Sequence, residues 1–120
     1  GLDYWKDLDV TVYDNYRDFL MKNPDVKIYM ATTKAVNTYT EVEYVPDSYI
    51  MFGKESAGIP EEILLQNKDT AIRIPMIGDI RSLNLSNSVA IVLYEALRQN
   101  NFEGMNRIGQ LHNHSWSEEI

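Results

Sequence analysis

The segment AIRIPMIGDIRSLNLSNSVAIVLYEALRQ, residues 71–99, decides the fold class of this 120-residue chain. Its first six residues form a mostly apolar run that predicts a buried β-strand. Its second half predicts an α-helix, since apolar residues recur there at a spacing of three or four. These residues are Val89, Val92, Leu93, Ala96 and Leu97. Ser86 or Asn87 is the expected N-cap, and an unusually long polar stretch separates the strand from this cap.

Strands and helices alternate along the rest of the chain. Strands are predicted at 9–13, 26–31 and 49–53, the last of them buried on both faces because its apolar run is continuous. A helix is predicted at 14–24, with Asp14 as its N-cap and Pro24 as its end.

Prolines and turn-forming residues mark the remaining connections. Residues 35–48 read as irregular, and Pro46 with Asp47 predicts a turn. Pro60 suits the first turn of a second helix, where Glu61 and Glu62 lie favourably near the N-terminal dipole. Residues 103–120 are polar without periodicity and are expected to form a loosely held tail behind a single domain at 1–102.

This alternation predicts an α/β domain with a mainly parallel sheet flanked by helices. Ligands of such sheets bind beyond the carboxyl ends of the strands. Three polar loops follow predicted strands and should gather at that edge, namely 32–34 (TTK), 53–58 (GKESAG) and 76–87. Each loop alone reads as ordinary turn chemistry, but the three together favour a ligand site.

Composition limits the possible functions. The formal net charge of −7 argues against a wide non-specific nucleic-acid surface, although it leaves room for a local basic patch. With no cysteine, the chain has neither disulfides nor thiolate metal ligands, which fits a reducing, cytoplasmic location. No apolar run reaches the ~20 residues of a membrane span, so no membrane partner is expected.

Several common site motifs are absent from the sequence. GKESAG lacks the spacing of a phosphate-binding Walker loop and of the dinucleotide fingerprint. His112 and His114 form an H-x-H pair in the tail, where a solvated role is favoured over metal binding, and no metal is expected. Neither histidine is placed for a Ser-His-Asp triad.

Two stretches resemble a known family. YIMFGKESAGIPEEIL (49–64) and IRIPMIGDIRSLNLSNSVAIVLYEALRQ (72–99) are similar to two motifs of the SPOUT class of RNA methyltransferases. The family patterns are F-G-x-E-x-x-G-(L/I)-P and I-P-M-x-x-x-x-R-S-(L/M)-N-(L/V)-S-x-(A/S)-V. The small enzymes that 2′-O-methylate the wobble nucleotide of tRNA are the most similar subfamily, which the opening GLDYW and the TTK loop also fit. The resemblance covers residues 1 to about 102, and both motifs in order make it highly specific.

The resemblance implies a fold, a cofactor and partners. The C-terminal segment would thread through a loop to form a deep trefoil knot, a rare exception to the rule against threading. S-adenosylmethionine would bind in the knot and supply the methyl group for the ribose of cytidine or uridine. A tRNA anticodon stem-loop would be the substrate, and a homodimer would build the site, with the last helix at its interface.

The resemblance also assigns residues to roles. The cofactor contacts would be Ala31, Gly53, Ile74 and Ser82, with Met76 and Leu83 packing nearby. Glu55, Arg81 and Tyr94 would serve catalysis, Tyr94 from across the dimer interface. Asn84 would hold the knot loop and Ser86 would cap the helix. For Tyr94, the alternative is a partly buried aromatic whose hydroxyl finds a partner. Basic residues expected around the site are Lys34, Lys54, Arg81 and Arg98.

One family motif does not occur in these 120 residues. The family begins with N-x-G-x-x-R, whose arginine is thought to activate the 2′-hydroxyl. The chain is therefore expected to be the C-terminal part of a longer enzyme, inactive in methyl transfer by itself. The alternatives are an rRNA ribose methyltransferase and a non-catalytic knotted module for cofactor binding or dimerisation. Calorimetry with S-adenosylmethionine separates the last of these, since a structural remnant would give no heat.

Overall fold

The computed structural model describes residues 8–78 and 83–119. Its helices are α1 (Tyr16–Lys22), α2 (Glu61–Leu65) and α3 (Leu85–Gln99). Its strands are β1 (Ile28–Ala31), β2 (Asn37–Thr38), β3 (Tyr49–Phe52) and β4 (Ala71–Arg73), and a 3-10 turn at Lys68–Thr70 leads into β4. The predicted strands at 26–31, 49–53 and 71–76 and the last helix are therefore confirmed, with shorter bounds for the strands.

The four strands form one sheet in the order β2-β4-β1-β3, and every pair is parallel. Met30 lies opposite Met51 on one side and Ala71 on the other, so β1 is a central strand. Parallel strands need crossover connections, and the helices supply the covering layers. The predicted α/β class with a parallel sheet is confirmed.

Alternation along β1 divides the core into two layers. Tyr29 is fully buried against Tyr44, Ile72 and Val92 on the face that α3 covers. Ile28 and Met30 point to the opposite face, where partly buried residues of α1 and α2 pack against them. Those partly buried residues include Tyr16, Phe19, Ile63 and Leu64.

The amino-terminal predictions need two corrections. Residues 9–13 form no strand, and Val10 and Val12 are exposed because no described strand lies beside them. Helix α1 is capped by Asn15 rather than Asp14, since the Asn15 Oδ1 accepts from the Asp18 backbone N–H at 2.8 Å. Asp14 instead donates its own backbone N–H to Asp18.

Strand β3 differs from its prediction. It lies at the edge of the described sheet, and Tyr49 is 41% exposed, so it is not buried on both faces. Strand β2 falls inside the segment predicted to be irregular, because two residues carry no periodic signal. The predicted turn at Pro46 and Asp47 is present.

The start of α3 corrects the predicted cap. Asn84 is the N-cap, and its Oδ1 accepts from the backbone N–H of Ser86 at 2.8 Å and of Asn87 at 3.4 Å. Ser86 and Asn87 thus donate their backbone N–H groups to the capping side chain, and neither of them is the N-cap. Three polar residues within four positions look alike in sequence, and only the extended backbone of Asn84 makes it the cap.

Residues 103–119 contain no helix or strand, and their side chains are exposed. Within the described ranges, none of the helices has both the length and the apolar character that crossing a membrane requires.

Candidate active site

A cavity of about 570 Å³ opens at the carboxyl edge of the sheet. The loops that follow β1, β3 and β4 contribute to its wall, together with one face of α3, as expected for parallel strands. Its lining comprises Ala31, Thr32, Thr33, Lys34, Phe52, Gly53, Lys54, Glu55, Ala57, Gly58, Ile59, Ile72, Ile74, Met76, Leu83, Asn84, Leu85, Ser88 and Val92. The volume lies within the range of about 300–1,000 Å³ that is common for small-molecule sites.

Most of the predicted site residues meet at this cavity. Five of the six predicted cofactor residues line it, namely Ala31, Gly53, Ile74, Met76 and Leu83, and Glu55 and Asn84 join them. Ser82 and Arg81 lie outside the described residues. Ser86 and Tyr94 are described but do not line the cavity.

Gly53 sets the wall at the end of β3. A Cβ at this position would lie 2.3 Å from the carbonyl carbon of Gly58 and 2.4 Å from the Ile59 nitrogen. Gly58 has a φ of +69°, and its backbone N–H donates to the Lys54 carbonyl at 2.8 Å. Two glycines therefore let the strand end and the following turn approach closely, which leaves backbone polar groups accessible to a ligand.

The TTK loop is held against the end of β4. The Thr32 backbone N–H donates to the Ile72 carbonyl at 2.9 Å, which extends the β1–β4 ladder. The Arg73 guanidinium donates to the Thr33 carbonyl at 3.0 Å. The Lys34 backbone N–H donates to the Thr32 hydroxyl at 3.1 Å, so the loop is fixed as a unit.

Helix α3 supplies three lining residues that the sequence predictions missed as site residues, namely Leu85, Ser88 and Val92. Ser88 and the fully buried Val92 lie one turn apart and face the sheet. Their spacing of four from each other, continuing from Asn84, is the signal that could have found them. Val92 had been predicted only as part of the apolar stripe.

Tyr94 is 53% exposed in the single chain. Val89 and Leu93 of the same helix are also exposed, at 36% and 42%. Part of the predicted apolar stripe of α3 therefore faces outward in the single chain.

Two of the predicted basic residues are paired with carboxylates. Lys34 Nζ lies 3.0 Å from Glu61 Oε2 at the cavity mouth. Arg98 lies near the far end of α3, where its Nε donates to Glu95 at 2.8 Å. The hydrogen bond from Arg98 lowers the pKa of Glu95, and the same contact raises the pKa of Arg98. Arg98 does not line the described cavity, in contrast to Lys34.

A second cavity of about 510 Å³ lies at the opposite edge of the sheet. Its charged lining residues are Lys27, Glu41, Glu43 and Asp69. Three carboxylates against one amine make this edge a poor match for a polyanion. Among residues 8–78 and 83–119, no three His, Cys, Asp or Glu side chains converge to hold a metal ion.

The first cavity suits a ligand with an apolar ring and polar edges. Ile72, Ile74 and Val92 offer apolar contacts, while Gly53 and Gly58 present backbone groups without side-chain obstruction. An adenosine-bearing cofactor has this combination of surfaces, because a purine stacks on aliphatic groups and pairs with main-chain donors and acceptors.

Comparison with known proteins agrees with this geometry. The model of the SpoU rRNA Methylase family matches residues 1–94. An Escherichia coli K12 protein, named tRNA (cytidine(34)-2'-O)-methyltransferase, is 42% identical over 105 residues, which are 87% of this chain and 67% of that protein. The chain spans 62% of the length of each of two Listeria relatives, which is about three fifths of those proteins.

Solved structures agree as well. One described as showing the 2-OH methylation of C/U34 on tRNA has a TM-score of 0.77 at 35% identity, with 86% of this chain and 67% of that chain covered. An AdoMet-bound rRNA methyltransferase from Sinorhizobium meliloti has a TM-score of 0.59 at 30% identity, with coverage of 70% and 33%. The family match spans more than half of the chain and includes the loops that form the cavity. The chain therefore belongs to the SpoU rRNA methylase family.

Proposed function

We propose that this chain is part of an S-adenosylmethionine-dependent methyltransferase that acts on the 2′-hydroxyl of a tRNA wobble nucleotide, cytidine or uridine. The observation that carries the proposal is the convergence of both motif loops on one cavity, with Gly53 and Ile74 in its wall. The name of the Escherichia coli relative and the description of the tRNA-methylating structure support the substrate.

The residues present fit the proposed cofactor. Ala31, Gly53 and Ile74 would hold it through backbone groups, and Met76 and Leu83 would pack against it. When bound, S-adenosylmethionine supplies an electrophilic methyl group on a sulfonium centre. The chain's part in the chemistry is alignment of the ribose oxygen with that centre and exclusion of water by the apolar wall.

Glu55, Arg81 and Tyr94 are the proposed catalytic residues. Glu55 is exposed at the cavity, where its carboxylate can orient the substrate or accept a proton. Tyr94 lies away from the cavity of its own chain and would act on the site of a partner subunit. The domain proposed for these roles spans residues 1–102, and its segment from 74 to 99 would form the trefoil knot.

A homodimer is part of the proposal. Leu85, Val89 and Leu93 follow one another at a spacing of four on α3, and each is between 36% and 42% exposed. In the proposed dimer, the partner subunit would cover this apolar stripe. Tyr94, next to Leu93 in the chain, would then lie near the partner's site. A self-complementary contact through α3 would bury this stripe twice.

A binding experiment tests the function directly. With S-adenosylmethionine at saturation, the chain should bind an unmodified anticodon stem-loop more tightly than one already 2′-O-methylated at nucleotide 34. The reason is steric, since a product methyl group would meet the methyl group of the cofactor. A stem-loop methylated at the neighbouring ribose is the control and should bind like the unmodified one. Equal binding of all three would contradict the proposed position of methylation.

Turnover separates binding from catalysis. Because no N-x-G-x-x-R motif occurs in the sequence, we expect no methyl transfer from labelled S-adenosylmethionine to tRNA by the 120-residue chain alone. Label at nucleotide 34 would show that another residue activates the hydroxyl group.

A further inference from the structure

The ion pair between Lys34 and Glu61 lies at the mouth of the cavity. It joins the TTK loop to the first turn of α2, 27 positions along the chain, with Nζ and Oε2 3.0 Å apart. The other ion pairs within the described residues are local, three or four positions apart, at Lys22–Asp18, Arg98–Glu95 and His114–Glu118. Lys34 and Glu61 therefore bring together two different elements at the site.

Hydrogen bonds within the TTK loop and from β4 fix the backbone position of Lys34. Its backbone N–H is bound to the Thr32 hydroxyl, and the neighbouring Thr33 carbonyl is held by Arg73. The backbone that carries the side chain is thus fixed at the rim, while the Lys34 side chain remains 55% exposed. A cation fixed in this way can meet a ligand outside the cavity without moving the loop.

The described lining of this opening contains two basic side chains. Of the residues that line the described cavity, only Lys34 and Lys54 are basic, on a chain with a net charge of −7. An RNA that places its ribose in the cavity must bring adjacent phosphates to the rim, where each cation contributes to the affinity for RNA. Glu61 neutralises one of the two.

The contact with Glu61 is easily broken. Both partners are exposed, at 55% and 70%, so water screens their attraction and the pair adds little to stability. A phosphate oxygen offers the same charge and can replace the carboxylate. From this arrangement we infer that Lys34 is an RNA-phosphate contact for which Glu61 competes, so that the acidic side chain weakens RNA binding until it is displaced. The inference rests on the proposed function.

Fluorescence anisotropy with a labelled anticodon stem-loop tests this competition. Glu61→Gln should tighten binding by up to about fivefold, the factor corresponding to an exposed ion pair. Lys34→Gln should weaken binding and reduce the slope of log K against log salt by about 0.7–0.9. The double variant should bind like Lys34→Gln, because Glu61 acts only through Lys34.

Glu62→Gln is the matched control. It removes the same charge one position away, from an exposed side chain in the same helical turn. Equal tightening by Glu61→Gln and Glu62→Gln would show a general effect of net charge and overturn the inference. So would tightening by Glu61→Gln that persists in the double variant.

S-adenosylhomocysteine binding provides the second readout. Glu61→Gln should leave this affinity unchanged. An increase equal to that for RNA would assign Lys34 to the cofactor carboxylate and overturn the inference. A wild-type chain that binds neither probe would refute the proposed function, whereas one that binds both without dependence on Glu61 would refute only this inference.

Discussion

Gly53 is the residue on which the shape of the cavity depends most directly. The atoms that a Cβ would meet, 2.3–2.5 Å away, belong to the backbone of Gly58 and Ile59. No rotation of a side chain can relieve such a contact, so the turn at 54–58 would have to move away from β3. The glycine in the FGKE motif is thus explained by close packing of two backbone segments.

We expect Gly53→Ala to weaken S-adenosylhomocysteine binding by about tenfold or more, since small displacements of a site wall are costly. The free energy of unfolding should fall by about 1–3 kcal/mol, as for other overpacked sites. Calorimetry and urea unfolding measure the two effects. Gly109→Ala is the control, because a Cβ there meets nothing within 4 Å. Wild-type affinity in the Gly53 variant would contradict this account of the wall.

The C-terminal turn of α3 anchors the segment that crosses the sheet after β2. Gln99 donates to the Val42 carbonyl at 3.0 Å and accepts from the Tyr44 backbone N–H at 2.9 Å. The buried Glu95 accepts from Gln99 and Arg98, both at 2.8 Å. Burial, followed by the nearby Glu95 charge, raises the pKa of Tyr44, so this phenol stays neutral in the core.

This network makes stability depend on pH in a defined direction. The hydrogen bond from Arg98 lowers the Glu95 pKa below its usual range, so the ionised form is favoured in the folded state. Its stabilising contribution is complete above the unfolded pKa and is lost as the pH falls through the folded pKa. Glu95→Gln should therefore destabilise the chain at about pH 7 and much less at about pH 3.

Urea unfolding at both pH values measures the difference. Glu103→Gln, which changes an exposed residue just beyond the helix, should have little effect at either pH. An equal loss of stability at both pH values in the Glu95 variant would mean that its charge is irrelevant to the fold.

Prediction of individual elements succeeded where the signal is a continuous apolar run or a long helical period. Strands β1, β3 and β4 and helix α3 belong to this group. It failed where tertiary contact decides. Among the residues that the structure describes, the 9–13 alternation finds no neighbouring strand. Strand β2 exists because the Tyr39 backbone N–H reaches the Arg73 carbonyl beside its pairing with β4.

For the site, the sequence predicted which loops meet but not how. The rule that parallel strands end at one edge brought the three loops together, and the resemblance to the family selected Ala31, Gly53 and Ile74 in or beside them. The Lys34–Glu61 pair could not be predicted, since both residues are ordinary surface charges until the loop and α2 are placed. Ser88 and Val92 appear in the lining only when α3 is set against the sheet.

At the scale of the whole molecule, the proposed dimer would bury the exposed stripe of α3. We expect light scattering to show a dimer, and Leu93→Glu to raise its dissociation constant by about a hundredfold or more, because an unpaired carboxylate would be buried. Leu65→Glu is the control, as Leu65 is a 64% exposed leucine on α2. A wild-type chain that stays monomeric at high concentration would contradict the proposed interface.

The cavity at the carboxyl edge of the sheet is the proposed cofactor site. Titration of the isotope-labelled chain with S-adenosylhomocysteine, followed by the backbone amide resonances, locates the site residue by residue. We expect saturable shifts at Ala31, Gly53, Gly58 and Ile74. An absence of shifts, or shifts confined to the opposite edge around Lys27 and Glu43, would contradict the proposed site.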